Sequence, residues 1–295
     1  GSRSKSGEVI LSNDPHIGFA APSTWYEAHL KTPEWELYGH HLAGIPFAIL
    51  GHNRRMAWGV TMLQNDDLDY FRERVNPVNP EQVWFRDHWE ELKIVEEIIS
   101  VKGSEDRPLR VRISRHGPII NDVLETVEKT EIQPVALAWE MLSNFENSTE
   151  QVFYELGHSE SLADSRAAVS KLHAPGLNIN YGDAEGNIAW WGAARLLIRP
   201  EHVNSYVILD GASGKDEVLG YRDFSENPQS ENPQTGILYN GNNQPGDTGS
   251  GLEPGYYAAE ERAHRLRELL NSAKKNWTAD EMKSIQLDTK NPRIN

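Results

Sequence analysis

The chain has 295 residues, and its 44 Asp and Glu exceed its 29 Lys and Arg, which gives a formal net charge of −15. This acidity excludes nucleic acid and anionic membrane surfaces as expected partners, because both bind to basic faces. The absence of cysteine excludes disulfides, thiolate metal sites and a cysteine nucleophile. The sequence also lacks an apolar run of the roughly 18 residues that a membrane-spanning helix needs.

Short β-branched and aromatic runs, separated by turn sequences, predict that residues 1–145 are rich in β-strands. The predicted strands lie at residues 8–11, 47–50, 56–61, 69–74, 83–85, 92–101 and 109–114. The last three show polar alternation, which favours an antiparallel sheet with one face toward solvent.

Helical and β patterns mix in residues 146–295. Helices are predicted at residues 150–156, 162–172 and 258–270, and Thr278 with Glu281 forms a capping-box pattern before another helix. Strands are predicted at residues 177–181, 188–193 and 206–209, while the Pro- and Asn-rich residues 225–235 indicate a loop or disordered strap. The whole pattern predicts an α+β fold.

Asn13-Asp14-Pro15-His16 places an imidazole in a turn directly after a predicted strand. Because the pKa of His lies near neutrality, His16 is a candidate for orienting a reacting group or exchanging protons with it. A His that is only hydrogen-bonded within its turn fits the same pattern, and the residues alone favour that simpler interpretation.

Three carboxylates are crowded into Asp66-Asp67-Leu68-Asp69. Their repulsion requires a loop in which solvent or a cation relieves it. Calcium accepts carboxylate and carbonyl oxygens, so Asp66, the Leu68 carbonyl and Asp69 are candidate ligands. The spacing does not match an EF-hand loop, and a solvated acidic turn explains the cluster equally well.

Asn240-Gly241-Asn242-Asn243 follows a strand-like run, a position from which an Asn side chain can donate to a developing oxyanion. Arg262, in the next predicted helix, is a candidate for bracing such an Asn. A plain turn and a surface Arg paired with a neighbouring Glu are the simpler alternatives. The nine Trp residues suggest an aromatic sugar- or acyl-binding surface, although core packing explains most of them better.

Ordered motifs along the chain resemble the nucleophile-bearing β chain of the penicillin amidase (penicillin acylase) family. The resemblance is strongest in the first 75 residues and extends over nearly the whole chain. It rests on Asn13-Asp14-Pro15-His16, Gly51-His52-Asn53, Ala57-Trp58-Gly59-Val60-Thr61, Asp66-Asp67-Leu68-Asp69, Tyr181-Gly182-Asp183 and Asn242-Asn243.

Members of this family are N-terminal nucleophile hydrolases, so the resemblance implies part of an αββα sandwich and hydrolysis of a linear amide bond. A Ser hydroxyl attacks the carbonyl, and the α-amine of the same Ser carries the proton. The resemblance implies that His16 orients this amine. It also implies that the backbone N–H of Met62 and the side chain of Asn242 bind the oxyanion, and that Arg262 supports Asn242.

The resemblance further implies a structural calcium site that includes Asp66, the Leu68 carbonyl and Asp69, and no organic cofactor. The implied partners are the α chain of the same precursor and a small N-acyl amide, such as a β-lactam side chain or an N-acyl homoserine lactone. The implied location is the periplasm or the medium outside the cell.

The resemblance places the family's Ser shortly before Gly1, so we expect the chain to be a fragment of the β chain, inactive by itself because it lacks the nucleophile. Two other functions stay open. One is a calcium-dependent, Trp-rich module that binds a ligand without catalysis. The other is a glycosidase that uses a pair of carboxylates.

Overall fold

The computed structural model describes residues 1–15, 17–143, 149–246, 252–270 and 274–290. The chain divides into two compact units. The first combines residues 1–65, 146–196 and 222–295, and the second combines residues 66–145 and 197–221. Each unit is therefore assembled from segments that are distant in sequence.

The mixture of strands and helices confirms the predicted α+β class. The strands are β1 (Trp25–Lys31), β2 (Glu36–Leu42), β3 (Leu50–His52), β4 (Met56–Met62), β5 (Leu68–Arg72), β6 (Gln82–Phe85), β7 (His88–Glu91), β8 (Lys93–Ile99), β9 (Arg107–Ser114), β10 (Gly117–Pro118), β11 (Val135–Trp139), β12 (Leu177–Asp183), β13 (Ile188–Ala193), β14 (Leu197–Ile198), β15 (Leu209–Asp210), β16 (Gly220–Tyr221) and β17 (Gln229–Glu231). The helices are α1 (Glu125–Thr130), α2 (Glu140–Ser143), α3 (Thr149–His158), α4 (Leu162–Val169), α5 (Glu261–Leu270) and α6 (Ala279–Gln286).

An antiparallel seven-stranded sheet forms the centre of the first unit, in the order β1-β2-β3-β4-β12-β13-β17. β4 and β12 lie in the middle and are buried along most of their length. β4 is mostly apolar, while β12 alternates apolar residues with Asn178, Asn180 and the glycine before Asp183, and its polar residues are also largely buried. The two strands pair from Met56 opposite Asp183 to Met62 opposite Leu177.

Helices α3 and α4 pack in the core of this unit. Phe153 and Leu156 of α3 and Val169 of α4 belong to the same buried cluster as Trp58 of β4 and Trp191 of β13. Burying apolar helical faces on a sheet is the main favourable term in such a layer.

Short sheets make up the second unit. β5 lies between β11 and β15, β9 lies between β8 and β10, and β6 pairs with β7 and β14 with β16. Phe71, Ile119, Ala136 and Leu209 form its buried apolar cluster. No helix in the described residues is long and apolar enough to cross a bilayer.

The sequence prediction is confirmed for β4, β12, β13, α3 and α4, and for α6 with its capping box. The prediction of a strand at residues 8–11 is wrong, because this extended segment pairs with no strand in the described part of the chain. The prediction of a loop or disordered strap at residues 225–235 is wrong in part, because β17 in its middle pairs with β13. The sequence analysis did not predict β1 and β2. β1 was missed because it is an edge strand whose mostly exposed residues show no apolar alternation.

Candidate active site

The end of β4 presents backbone groups that make no ladder hydrogen bond to the backbone of the neighbouring strand β12. The Leu63 N–H donates to the Gly176 carbonyl at 3.0 Å, which makes these two residues a hydrogen-bonded pair across the ladder. Hydrogen-bonded and non-bonded pairs alternate in antiparallel sheets, and both backbone groups of one residue face the same side. The N–H and carbonyl of Met62, opposite Leu177, are therefore not paired with the backbone of β12, although the carbonyl accepts from the Asn178 side chain of that strand.

The Asn13 side chain forms hydrogen bonds with the backbone N–H and carbonyl of Val60, on this same edge of β4. Its side-chain Nδ2 donates to the Val60 carbonyl at 3.2 Å, and its Oδ1 accepts from the Val60 N–H at 2.9 Å. The side chain thus replaces a short strand next to β4. A Cβ atom on Gly59 would lie only 2.7 Å from the Cβ of Asn13, so this approach requires glycine there.

Asn242 lies on the edge where the Met62 groups point. Its Nδ2 donates to the Met62 carbonyl at 2.9 Å. Its backbone adopts φ 60°, the left-handed region that Asn tolerates in turns. The Asn242 N–H donates to Oδ1 of Asn240 at 2.9 Å, which holds the turn in place.

Arg262, near the start of α5, donates from Nη2 to the Oδ1 of Asn242 at 2.9 Å. A guanidinium can only donate, so this bond assigns the oxygen of the Asn242 amide to the Arg side and its NH₂ to the Met62 side. The predicted candidates Met62, Asn242 and Arg262 are therefore brought together by hydrogen bonds. His16 lies outside the described residues.

Arg199 joins the two acidic side chains that the sequence suggests as metal ligands. Its Nε lies 2.9 Å from Oδ2 of Asp69, and its Nη1 lies 3.3 Å from Oδ2 of Asp66. Ser205 donates a short hydrogen bond to the Asp66 carboxylate. Burial raises the pKa of Asp69 in spite of the Arg199 bond, and Asp66 and Glu140 act in the same direction.

The oxygen atoms of Asp66, Leu68 and Asp69 could supply some, but not all, of the ligands of a cation. One guanidinium cannot neutralise two carboxylates, and the buried Oδ1 of Asp69 has no hydrogen-bond partner among the described residues. Within those residues, no group of three or more His, Asp or Glu side chains is arranged to hold a metal ion. Asp66, Asp69 and the carbonyl of Leu68 are therefore at most part of a calcium shell, which also accepts carbonyl oxygens.

A family model, described as penicillin amidase, matches residues 1–295. The chain belongs to the penicillin amidase family. Two relatives are the acyl-homoserine lactone acylase QuiP of Pseudomonas aeruginosa and the penicillin acylase 2 proenzyme of Pseudomonas sp. (strain SE83). The first is 29% identical over 288 residues, 94% of this chain and 33% of the relative. The second is 26% identical over 305 residues, 99% of this chain and 37% of the relative.

The solved structure of a thermostable penicillin G acylase from Alcaligenes faecalis matches with a TM-score of 0.85 at 24% identity, over 97% of this chain and 50% of that one. This match confirms that the chain has the penicillin G acylase fold. The relatives are named acylases, so the predicted kinship with amide hydrolases is also confirmed. The chain spans about a third of the length of these curated relatives.

Several polar residues of this penicillin amidase chain escaped prediction, namely Thr61, Asn178, Trp190, Arg199 and Asn240. Thr61 and Asn240 lie within motifs given above, but the sequence assigns none of these five residues a role of its own. Only the pairing of the strands and the fold of the loops bring these residues next to the candidate site residues. The burial of Asn178, which is only 1% exposed, is the signal that the sequence lacked.

Five of the nine Trp residues have structural roles. Trp58 and Trp191 are fully buried in the main core, and Trp25 and Trp35 pack against it. The indole of Trp190 donates to Asn178 at 3.0 Å. These five indoles are engaged in packing and internal hydrogen bonds, so they do not form a Trp-lined sugar site.

Proposed function

We propose that the full-length protein hydrolyses a linear amide between an acyl group and an amine, and that Met62 and Asn242 bind the oxyanion. One observation carries this proposal. The Nδ2 group of Asn242 is fixed 2.9 Å from the Met62 carbonyl, on the strand edge to which the Met62 N–H also points. This contact supports the proposal that both donors flank the oxyanion before any substrate arrives, a geometry that lowers the barrier to a tetrahedral intermediate.

The proposed chemistry uses an N-terminal Ser that the family resemblance places shortly before Gly1. Its Oγ forms a bond to the amide carbonyl carbon while its proton passes to the α-amine of the same residue. The carbonyl oxygen becomes an anion held by the Met62 N–H and Asn242 Nδ2. Collapse expels the amine with that proton and leaves an acyl ester, which water then hydrolyses by the same sequence of steps.

His16 and Arg262 have supporting roles in the proposed mechanism. His16 is proposed to orient the α-amine, since Asn13, three residues earlier, is bound to the same strand edge as the Met62 groups. Arg262 keeps the NH₂ of Asn242 directed at the oxyanion by holding its oxygen. Without the upstream Ser we expect the 295-residue chain alone to be inactive.

The proposed substrate is a small N-acyl amide, either an N-acyl homoserine lactone or a β-lactam with an acyl side chain. The names of the two Pseudomonas relatives support these two classes. Because the chain spans about a third of these relatives, we propose that an α chain from the same precursor completes the enzyme. A periplasmic or secreted location is part of the same proposal.

The test is a comparison of hydrolysis rates for a chromogenic N-acyl amide by the full-length protein and its Asn242→Ala variant. We expect kcat to fall by about 10² to 10³, the usual effect of removing one oxyanion donor, with KM changed much less. Asn76→Ala is the control, because Asn76 also uses its amide in a local turn but belongs to the second unit. Wild-type turnover in Asn242→Ala would refute the assignment.

We also propose that calcium binds to Asp66, Asp69 and the Leu68 carbonyl and has a structural role. The unpartnered, buried Oδ1 of Asp69 supports this proposal. Bound calcium would supply the positive charge that the single Arg199 does not, and no catalytic step passes through it. Millimolar calcium should raise the melting temperature of the full-length protein by mass action.

Matched variants separate this calcium effect from general salt stabilisation. Asp69→Asn should abolish the response of the melting temperature. Asp87→Asn, which removes a carboxylate that is 92% exposed, should leave it unchanged. Equal responses in the two variants would exclude the site.

A further inference from the structure

We propose that Asn178 is a positioning residue that ties both oxyanion donors to one buried amide, an inference that rests on the proposed hydrolytic function. Asn178 lies in β12, opposite Thr61 of β4 and Gly192 of β13. Its side chain is only 1% exposed. A buried amide that keeps its position in a sheet core needs hydrogen-bond partners for its polar atoms.

The orientation of the Asn178 amide is fixed by Trp190. The indole Nε1 of Trp190 donates to Oδ1 of Asn178 at 3.0 Å. An indole N–H can only donate, so the oxygen of the amide faces Trp190 and the NH₂ faces the opposite way. This assignment does not depend on a choice between the two amide orientations.

The NH₂ group of Asn178 makes two hydrogen bonds toward β4. It donates to the carbonyl of Met62 at 3.0 Å and to Oγ1 of Thr61 at 3.2 Å. The Met62 carbonyl is the same atom that receives Nδ2 of Asn242. One carbonyl oxygen therefore connects the buried amide of Asn178 to the exposed amide of Asn242.

A second connection runs through the hydroxyl of Thr61. Because its oxygen accepts from Asn178, its single proton is free to donate to Oδ1 of Asn240, at 2.8 Å. That same Oδ1 accepts the backbone N–H of Asn242 at 2.9 Å. The hydrogen bonds thus close a ring that runs from Asn178 through Met62, Asn242, Asn240 and Thr61 back to Asn178.

This ring fixes both proposed donors relative to each other. It holds the last residue of β4, which carries the Met62 N–H, and it holds the left-handed turn that carries Asn242. Donors for an oxyanion stabilise it most when they need no rearrangement during the reaction. Misplacing one donor by about 1 Å can cost up to about 10²-fold in rate.

The sharpest test replaces Thr61, because two substitutions there differ only in the group that the proposal uses. Thr61→Val keeps the β-branched shape that suits a strand but removes the hydroxyl. Thr61→Ser keeps the hydroxyl and removes a methyl group. Hydrolysis of a chromogenic N-acyl amide and the melting temperature are measured for both variants of the full-length protein.

For Thr61→Val we expect kcat to fall about tenfold with KM within about twofold, because the donors are misplaced while substrate binding is kept. Thr61→Ser should stay within about twofold of wild-type kcat. Trp190→Phe, which releases the oxygen of Asn178, should lower kcat in the same way and provides a second test if Thr61→Val does not fold. Wild-type kcat in Thr61→Val, or equal losses in Thr61→Val and Thr61→Ser, would overturn the proposal.

Asn242→Ala in the same experiment distinguishes this inference from the proposed function. If Asn242→Ala keeps its activity, the oxyanion assignment itself is wrong. If Asn242→Ala loses activity while Thr61→Val retains it, only the positioning role of Asn178 is wrong.

Discussion

At the scale of single residues, Gly59 leaves space that the polar side chain of Asn13 occupies. Gly59 is buried in the middle of β4, where glycine ordinarily weakens a strand. The space where its side chain would be is filled by Asn13, whose amide replaces a strand partner for Val60. The glycine thus allows the segment before His16 to lie against the edge that carries the Met62 groups.

Gly59→Ala should lower the free energy of unfolding by about 1 to 3 kcal/mol, because the new methyl group collides with the Asn13 side chain in a packed site. Chemical unfolding of the full-length protein measures this loss. Gly18→Ala is the control, since nothing lies within 4 Å of its added Cβ, and a change within about 0.5 kcal/mol is expected there. An unchanged free energy of unfolding in Gly59→Ala would mean that Asn13 does not occupy this position in solution.

At the scale of elements, His116 links the turn between β9 and β10 to the end of β5. Its Nδ1 lies 2.8 Å from Oε1 of Glu73, its Nε2 lies 2.7 Å from Oε1 of Glu217, and its ring stacks on Phe71 with centroids 4.1 Å apart. Burial opposes the charged imidazole, but the carboxylates of Glu217 and Glu73 outweigh burial and raise the pKa of His116. The protonated ring can donate to both carboxylates at once.

This arrangement predicts a pH dependence of stability. Because the folded pKa of His116 is raised, its contribution is complete below the ordinary value of about 6.5 and is lost as pH rises through the folded value. As pH rises above about 6.5, the free energy of unfolding should therefore fall more in the wild type than in His116→Gln. His202→Gln is the control, because its imidazole is exposed and pairs with a single carboxylate. Equal slopes in the wild type and His116→Gln would contradict the prediction.

The elements also show what sequence can and cannot predict. β4 and β13 were predictable because they carry nearly continuous apolar residues, and β12 because its apolar residues alternate with polar ones. The edge strands β1 and β17 were not, because β1 is mostly exposed, β17 has only three polar residues, and each takes its pairing from the neighbouring strand. The contact between Asn178 and Met62 depends on the β4–β12 register, which no local pattern encodes.

At the scale of the whole molecule, the family resemblance predicted more than periodicity did. Met62, Asn242 and Arg262 were selected by matching motifs, and the structure brings them together although about 200 residues separate the first from the last. Arg199 was not selected, because its pairing with Asp66 and Asp69 depends on a distant segment of the second unit. The nucleophile, the α chain and the calcium site remain predictions for the full-length protein.

The most direct test of the central claim is a crystal structure of the full-length protein with a boronate or phosphonate analogue of the tetrahedral intermediate. The account predicts that the oxyanion of the analogue lies within about 2.7 to 3.1 Å of both the Met62 backbone nitrogen and Asn242 Nδ2. An analogue bound covalently to the nucleophile, with its oxyanion held by other donors, would contradict it.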